Sequence, residues 1–457
     1  MDHSHRWRNL LYVLILFIGV PSAVVWGDNW GHWRGPTGNG GAPNATPPTE
    51  WSDTQNVKWQ VRIDGRGSGS PVVWEDRVFV VTAIVSQTSS SSPNRSRGDA
   101  QQSKDRSGRT NRERGNGALV KTAFRVLCFE RNSGKTLWEK TSVEATPHQG
   151  VHQTNNFASA SPCTDGKHVY AFFGSRGLYC YTLDGKLVWK RDDFGRMDTR
   201  NGFGEGSSPT IVGNKIIVPW DHEGPSALYA LDKLTGKTIW KTSRDEPTNW
   251  STPLIVDNGG KQQVVMNGQN YARGYDLDSG RELWRCGGQT QRPCASAVYG
   301  QGLIFVGSGF RGAFLGAFQP DGKGDIQGTQ SVVWSVDRDT PDIASPLLTG
   351  GRLYFHKGKT GMISCFDAKT GKPHYTATRV SGLSSIYASP VSAGGYVFLT
   401  GRSGRTVVLK EDDQFQVIST NSLGEMVDAT PAPVGNQLFI RGEKHLFCIQ
   451  EENTSSK

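Results

Sequence analysis

Two histidines four residues apart, His148 and His152, are followed by Asn155 and Asn156, the densest group of side chains with chemical potential in the chain. On a helix this spacing would put two imidazoles on one face, where they could share a metal. Pro147 and Gly150 interrupt any helix there, and no carboxylate is adjacent, so the segment reads as a loop whose imidazoles and amides make hydrogen bonds. Glu205 stands between Gly204 and Gly206 and could hold calcium or a polar ligand, or equally satisfy backbone amides. Asp221, Arg244, Asn249, Trp250, Arg292 and Arg311 complete the candidate ligand-binding set; no catalytic residue and no metal ligand set is assigned. Gly134-Lys135-Thr136 and Gly236-Lys237-Thr238 imitate the end of a phosphate-binding loop, but neither has a glycine five positions earlier, so neither can cradle a phosphate.

The elements that must position these residues come from a repeat. Its first anchor is a small hydroxyl residue before proline: Ser70, Ser161, Ser208, Thr252, Ser345, Ser389 and Thr430, with Ser296-Ala297 as a version without proline. Its second is a glycine turn leading to an aromatic residue, as in Ser226–Trp240, and it supplies Trp59, Trp138, Trp189, Trp240, Trp284 and Trp334, with Tyr375 in the same role. Alternating apolar residues on both sides of each turn mark short strands. Most first anchors lie 41 to 49 residues apart, the length of a four-stranded propeller blade. Eight anchors predict an all-β, eight-bladed β-propeller of four-stranded antiparallel blades. The last blade has three strands before the chain ends, so the strand at Val57–Val61, which carries the exit Trp59, is expected to complete it and close the ring.

In such a ring, the loops between blades and the second-to-third-strand turns share one face. All the candidates above fall there, with Arg176, His222, Arg273, Lys357, Lys359, Arg402, Arg405 and Lys444. Basic residues outnumber acids. They are either solvated loop charge or a positive funnel for an anionic ligand or partner.

The rest of the chain is read around this propeller, taken as residues 57–450. Residues 1–27 have the form of a signal peptide, with Arg6 and Arg8 before the apolar run Leu10–Val20, so export to the periplasm or exterior is expected. No second membrane segment follows. Residues 28–56 form a leader and 451–457 a tail. Residues 86–117 interrupt blade 1 with seven basic and three acidic side chains and no aromatic, and are expected to be a disordered insertion. They bear much of the net charge of +9. Of seven cysteines, Cys128, Cys180, Cys365 and Cys448 recur at one repeat position and are expected in the core, while Cys286 and Cys294 could pair.

The pattern L-Y-A-L-D-x-x-T-G-K-x-x-W of Leu228–Trp240, with Gly274–Trp284 and Ser364–Tyr375, resembles the PQQ-like β-propeller repeat of the quinoprotein alcohol dehydrogenase-like superfamily. Trp30-Gly31-His32-Trp33-Arg34-Gly35-Pro36 is similar to the leader of its secreted bacterial members. The superfamily includes dehydrogenases that use PQQ and calcium and a non-enzymatic outer-membrane assembly lipoprotein. The resemblance implies for the enzymes an adjacent cysteine pair, absent here, and a Glu-Asn-Asp set, of which Glu205 and Asn249 match two members. The expectation is therefore an exported binding or scaffolding module acting through its funnel face on a protein or an anionic envelope polymer, with no nucleic-acid partner. A PQQ- and calcium-dependent oxidoreductase and a carbohydrate- or envelope-polymer-binding module are the alternatives. Oligomeric state is not set by the sequence.

Overall fold

The structure is a computed structural model that describes residues 29–86 and 119–452. The signal sequence expected at 1–27 and nearly all of the insertion expected at 86–117 lie outside these residues, as does most of the tail. The described chain forms eight sheets, one per blade, antiparallel except where a short added strand pairs parallel in blades 4 and 7, and its helical content is two short turns, Gly174–Arg176 and Arg200–Gly202. Within each blade the first strand is innermost. Blade 3 is representative, running outward through Thr210–Val212, Lys215–Trp220, Ser226–Asp232 and Thr238–Arg244. Val57–Arg62 pairs antiparallel with His445–Ile449 and becomes the outer strand of blade 8, which closes the ring as expected. Two blades gain a fifth strand: Gly324–Asp325 on the outer edge of blade 4, and Gly41–Ala42 of the leader on the inner edge of blade 7.

The first anchor forms a belt. The backbone N–H of each anchor donates to the hydroxyl of the next blade's anchor: Ser70 to Ser161, Ser161 to Ser208, then Thr252, Ser296, Ser345, Ser389 and Thr430, all at 2.8–3.0 Å. At the anchor itself the innermost strand has no strand beside it on the channel side, so these N–H groups need an acceptor from another blade. The proline that follows removes a second N–H that would otherwise be orphaned there. At the seam the belt is open, because the Ser70 hydroxyl has no partner while Thr430 takes a bond from leader Trp33.

The second anchor locks blade to blade. Trp59, Trp138, Trp189, Trp240 and Trp334 each donate an indole N–H to a backbone carbonyl of the next blade, at Arg131, Leu183, Lys233, Leu277 and Ala368, over 2.7–3.0 Å. The ring lies on the turn glycine of that next blade. A Cβ on Gly134, Gly185, Gly236, Gly280 or Gly371 would come within 2.6–2.8 Å of it. Opposite each aromatic on its own sheet is a small residue: Cys128, Cys180, Ala230, Gly274, Ala317, Cys365 or Cys448. The recurrent cysteines are thus buried space-makers, and all seven cysteines are free thiols, including Cys286 and Cys294. Trp284 differs: Gly324–Asp325 occupies the edge it would cross, and it bonds Gln263 of its own blade at 2.7 Å.

Gly236→Ala is expected to destabilise by about 2–3 kcal/mol, combining a left-handed residue at φ 71° with a clash on Trp189. Gly213→Ala, at φ 55° with nothing within 4 Å, isolates the backbone part at about 1 kcal/mol. Equal losses in urea melts would show that the indole contact contributes nothing.

Candidate functional site

The leader sets the shape of the central channel because it touches every blade from one face. Trp30 bridges to Val73 of blade 1, the Gly31 carbonyl accepts from Thr164 of blade 2, and His32 lies 3.0 Å from the Thr210 hydroxyl of blade 3. Gly38 packs on Leu254 of blade 4, and the Asn39 side chain exchanges bonds of 2.6 and 2.9 Å with the Tyr299 backbone of blade 5. Arg34, 1 % exposed, donates to the carbonyls of Pro346 in blade 6 and Pro390 in blade 7 at 2.5 and 2.9 Å. Trp33 completes the circuit at Thr430 of blade 8, 3.4 Å away, and its ring faces the lumen. The channel is therefore a funnel, closed at the leader and open at the opposite face.

The funnel encloses about 350 Å³. Its lining follows a positional rule: the residue two places before each first anchor contributes, in blade order Ser68, Ser159, Gly206, Trp250, Cys294, Ile343, Tyr387 and Asp428. Blades 1 to 3 present small residues and leave space, and blade 5 presents Cys294; the other four present larger ones. Phe203, Phe310, Arg292, Asp342 and Lys359 complete the wall. The Arg292 guanidinium sits 3.7 Å from the centre of the Phe310 ring and 5.1 Å from that of Phe203. Its backbone holds a left-handed φ of 53°. Burial, then the neighbouring Arg311, lowers its pKa, and its side-chain N–H groups have no protein acceptor among the described residues. Burial raises the carboxyl of Asp342, with Lys359 and Arg292 acting against it, and burial raises the Cys294 thiol, which is therefore not a ready nucleophile. Asp428 faces Arg402 at 3.2 Å.

The candidates drawn from the sequence divide into three groups. His152, Asn155, Trp250 and Arg292 line the funnel. His148, Asn156, Glu205, Asp221 and Asn249 line a smaller cavity of about 50 Å³ beside it, with Trp250 shared. Arg244 is buried behind both, and Arg311 stands exposed at the rim, 5.4 Å from the Phe310 ring. The histidines serve the loops: His148 Nε2 lies 2.9 Å from the Met197 carbonyl and His152 Nδ1 lies 2.8 Å from the Thr154 hydroxyl. Among the described residues no three His, Cys, Asp or Glu side chains are grouped to hold a metal.

Calcium does not fit the Glu205, Asn249 and Asp221 group. Asp221 already receives Arg244 Nε at 2.8 Å and Nη2 at 3.0 Å, with both side chains at most 1 % exposed. Asn249 Nδ2 donates to the same carboxylate at 2.9 Å and to the Asn267 carbonyl at 2.6 Å. The cation position is taken by a guanidinium. The Glu205 carboxylate is folded against Gly174 and accepts from Ser175, from Oγ at 2.5 Å and from the backbone N–H at 2.7 Å. Burial pushes its carboxyl up to about 7.

The expected positive funnel is correspondingly reduced. Arg273 is bound by Glu246, Asp245 and Glu282, and Lys357 reaches Asp339 at 2.6 Å. Among the described residues Arg292, Lys359 and Arg311 have no carboxylate within 4 Å, and neither do Arg176, Arg405 and Lys444; of these six, Arg292 and Lys359 line the funnel. Sequence reasoning missed Trp33, Phe203, Phe310, Asp342, Tyr387 and Asp428. Tyr387 and Asp428 obey the two-before-anchor rule and were legible by it; the others depend on how loops cross the mouth.

Comparison with known proteins agrees with this architecture. The family described as outer membrane protein assembly factor BamB matches residues 122–292 and 268–456. Among solved structures, BamB from Moraxella catarrhalis aligns with a TM-score of 0.52 at 14 % identity, over 87 % of this chain and 98 % of that one. A quinohemoprotein alcohol dehydrogenase from Comamonas testosteroni aligns with a TM-score of 0.59 at 9 % identity, over 94 % of this chain and 82 % of that one. The computationally designed Ika8 protein aligns with a TM-score of 0.53 at 11 % identity, over 74 % and 95 %. These identities establish the fold alone. No curated protein sequence matches the chain. The repeat, the eight closed blades and the family match together make the chain a member of the PQQ-like β-propeller family described as outer membrane protein assembly factor BamB.

Proposed function

We propose that the chain is an exported binding module whose one-ended funnel takes up an anionic group carried by a partner protein or an envelope polymer. The observation that carries this reading is Arg292: a guanidinium held between two aromatic rings in a strained backbone, with its N–H groups unmet by any described acceptor. A group held this way is arranged before its ligand arrives, so little is lost in ordering it. The Phe203 and Phe310 rings beside it exclude water and strengthen its attraction for a negative charge relative to open water. The family's description favours protein partners, and the form of residues 1–27 favours export. Among the described residues no helix is long and apolar enough to cross a membrane. The enzyme alternative is disfavoured by the Arg244 guanidinium on Asp221, which leaves no carboxylate set for calcium.

Poly-L-glutamate serves as a probe of the anion site. At low salt it is expected to bind the purified chain in a fluorescence titration, and Arg292→Glu is expected to weaken binding by about tenfold or more. Equal binding by wild type and Arg292→Glu would refute the funnel as the site.

A further inference from the structure

We infer that the natural occupant of the funnel is an acidic sugar, a carboxylate-bearing pyranose at the end of a glycan chain. This inference rests on the funnel reading given above and names its ligand.

Three features select that chemistry. The first is shape. Trp33 closes the floor, and about 350 Å³ lies at the lower end of the range for small-molecule sites. A polymer cannot thread such a site; it can insert only a terminal unit or two. The second is the division of the wall. Ser68, Ser159 and Gly206 leave space on one side, with the Trp250 indole beside Gly206, while Tyr387 lines the wall with Arg402 4.9 Å and Lys359 5.9 Å from its ring centre. A pyranose has a C–H face for such rings and hydroxyl edges for the rest.

The third feature is a group of donors, which share the wall with the carboxylates of Asp342 and of Asp428, the latter facing Arg402 at 3.2 Å. The hydroxyls of Ser208, Thr252, Ser389 and Thr430 line the funnel, and each accepts a backbone N–H through its oxygen. Each therefore keeps its own O–H to donate. Arg292 and Lys359 add charged donors nearby. The matching ligand packs many oxygen acceptors and a negative charge into a small volume. A uronic acid does so; a carboxylate on a peptide brings fewer acceptors and a longer apolar stem.

Calorimetric titration of the purified chain with glucuronic acid, glucose, acetate and a tri-aspartate peptide tests the inference. Glucuronic acid is expected to bind, with glucose and acetate each weaker by about tenfold or more. Gly206→Phe fills the open side and is expected to abolish glucuronic acid binding. A Cβ there stands 3.2 Å from Trp250, so Ser159→Phe provides a second filling variant should the first not fold, as judged by its melting curve. Lys359→Gln, at an exposed side chain, is expected to weaken binding severalfold without loss of stability. Acetate binding as well as glucuronic acid, tri-aspartate binding more tightly, or a folded filling variant with undiminished affinity would each overturn the sugar assignment. Arg292-dependent binding of poly-L-glutamate would then still support an anion site, whereas loss of that dependence would remove both readings.

Discussion

Asp221→Ala is expected to destabilise the protein by about 3–5 kcal/mol, the cost of leaving a buried guanidinium without its partner. Arg244 and Asp221 meet through two bonds, at 2.8 and 3.0 Å, and neither side chain is more than 1 % exposed. Burial works against the Arg244 charge, and the Asp221 carboxylate and the Tyr275 hydroxyl, 2.5 Å from Nη1, override it and hold the charge in place. The same carboxylate accepts Asn249 from the loop that enters blade 4. Its loss therefore loosens the joint between blades 3 and 4 as well as the pair itself. Asp221→Leu combined with Arg244→Met removes both charges and is expected to recover most of the loss. Urea unfolding of Asp221→Leu, Arg244→Met and the double variant measures the coupling. A loss under about 1 kcal/mol for Asp221→Ala would mean the guanidinium finds water or another acceptor, and the argument against calcium would fail with it.

Glu205 is expected to make stability fall as pH rises. Its folded pKa, raised by burial to about 7, exceeds the ordinary carboxyl value of 4.5. Between those two values the folded state holds a proton that the unfolded chain has released, so stability declines with pH across that window and levels off above it. The shift corresponds to about 2–3 kcal/mol, allowing for the partial solvent contact of the residue. Ser175 and Arg176 act against burial by favouring the charged form, but they do not overcome it. Glu205→Gln is expected to flatten the profile and to be more stable than wild type at pH 8. Denaturation midpoints from pH 4.5 to 8 decide the matter: a wild-type curve no steeper than that of Glu205→Gln would show that the carboxylate is solvated in the native state. The bonds that Glu205 accepts from Ser175 strengthen on ionisation, so the 174–176 turn beside the funnel is expected to hold at high pH.

The propeller was legible because its determinants are local. A hydroxyl residue before proline, an alternating run, a glycine turn and an aromatic exit define one blade within about forty-five residues. The same counting predicted the closure by a strand at Val57–Val61, observed as Val57–Arg62, since a missing outer strand at one terminus and a spare one with its own Trp at the other have a single solution. The candidate site was legible as a face but not as a set of contacts. His152, Asn155, Trp250 and Arg292 reach the funnel, while Asp221, in the turn after Lys215–Trp220, and Arg244, at the end of the strand Thr238–Arg244, neutralise each other.

From the sequence alone follow the fold, the number of blades, the closing strand and the reason for the cysteines, because each rests on residues that act within one sheet or at one blade junction. Only the tertiary structure decided that the leader seals the channel, that Arg244 occupies the position a cation would need, and that Arg292 stays available. The first depends on residues hundreds of positions apart, such as Arg34 with Pro346 and Pro390, and the others on how a strand end and the crossing loops meet, as in Arg244 with Asp221 and Arg292 with Phe310 and Phe203. In a closed ring, whether a loop charge meets solvent or a partner is settled by what the neighbouring blades place beside it.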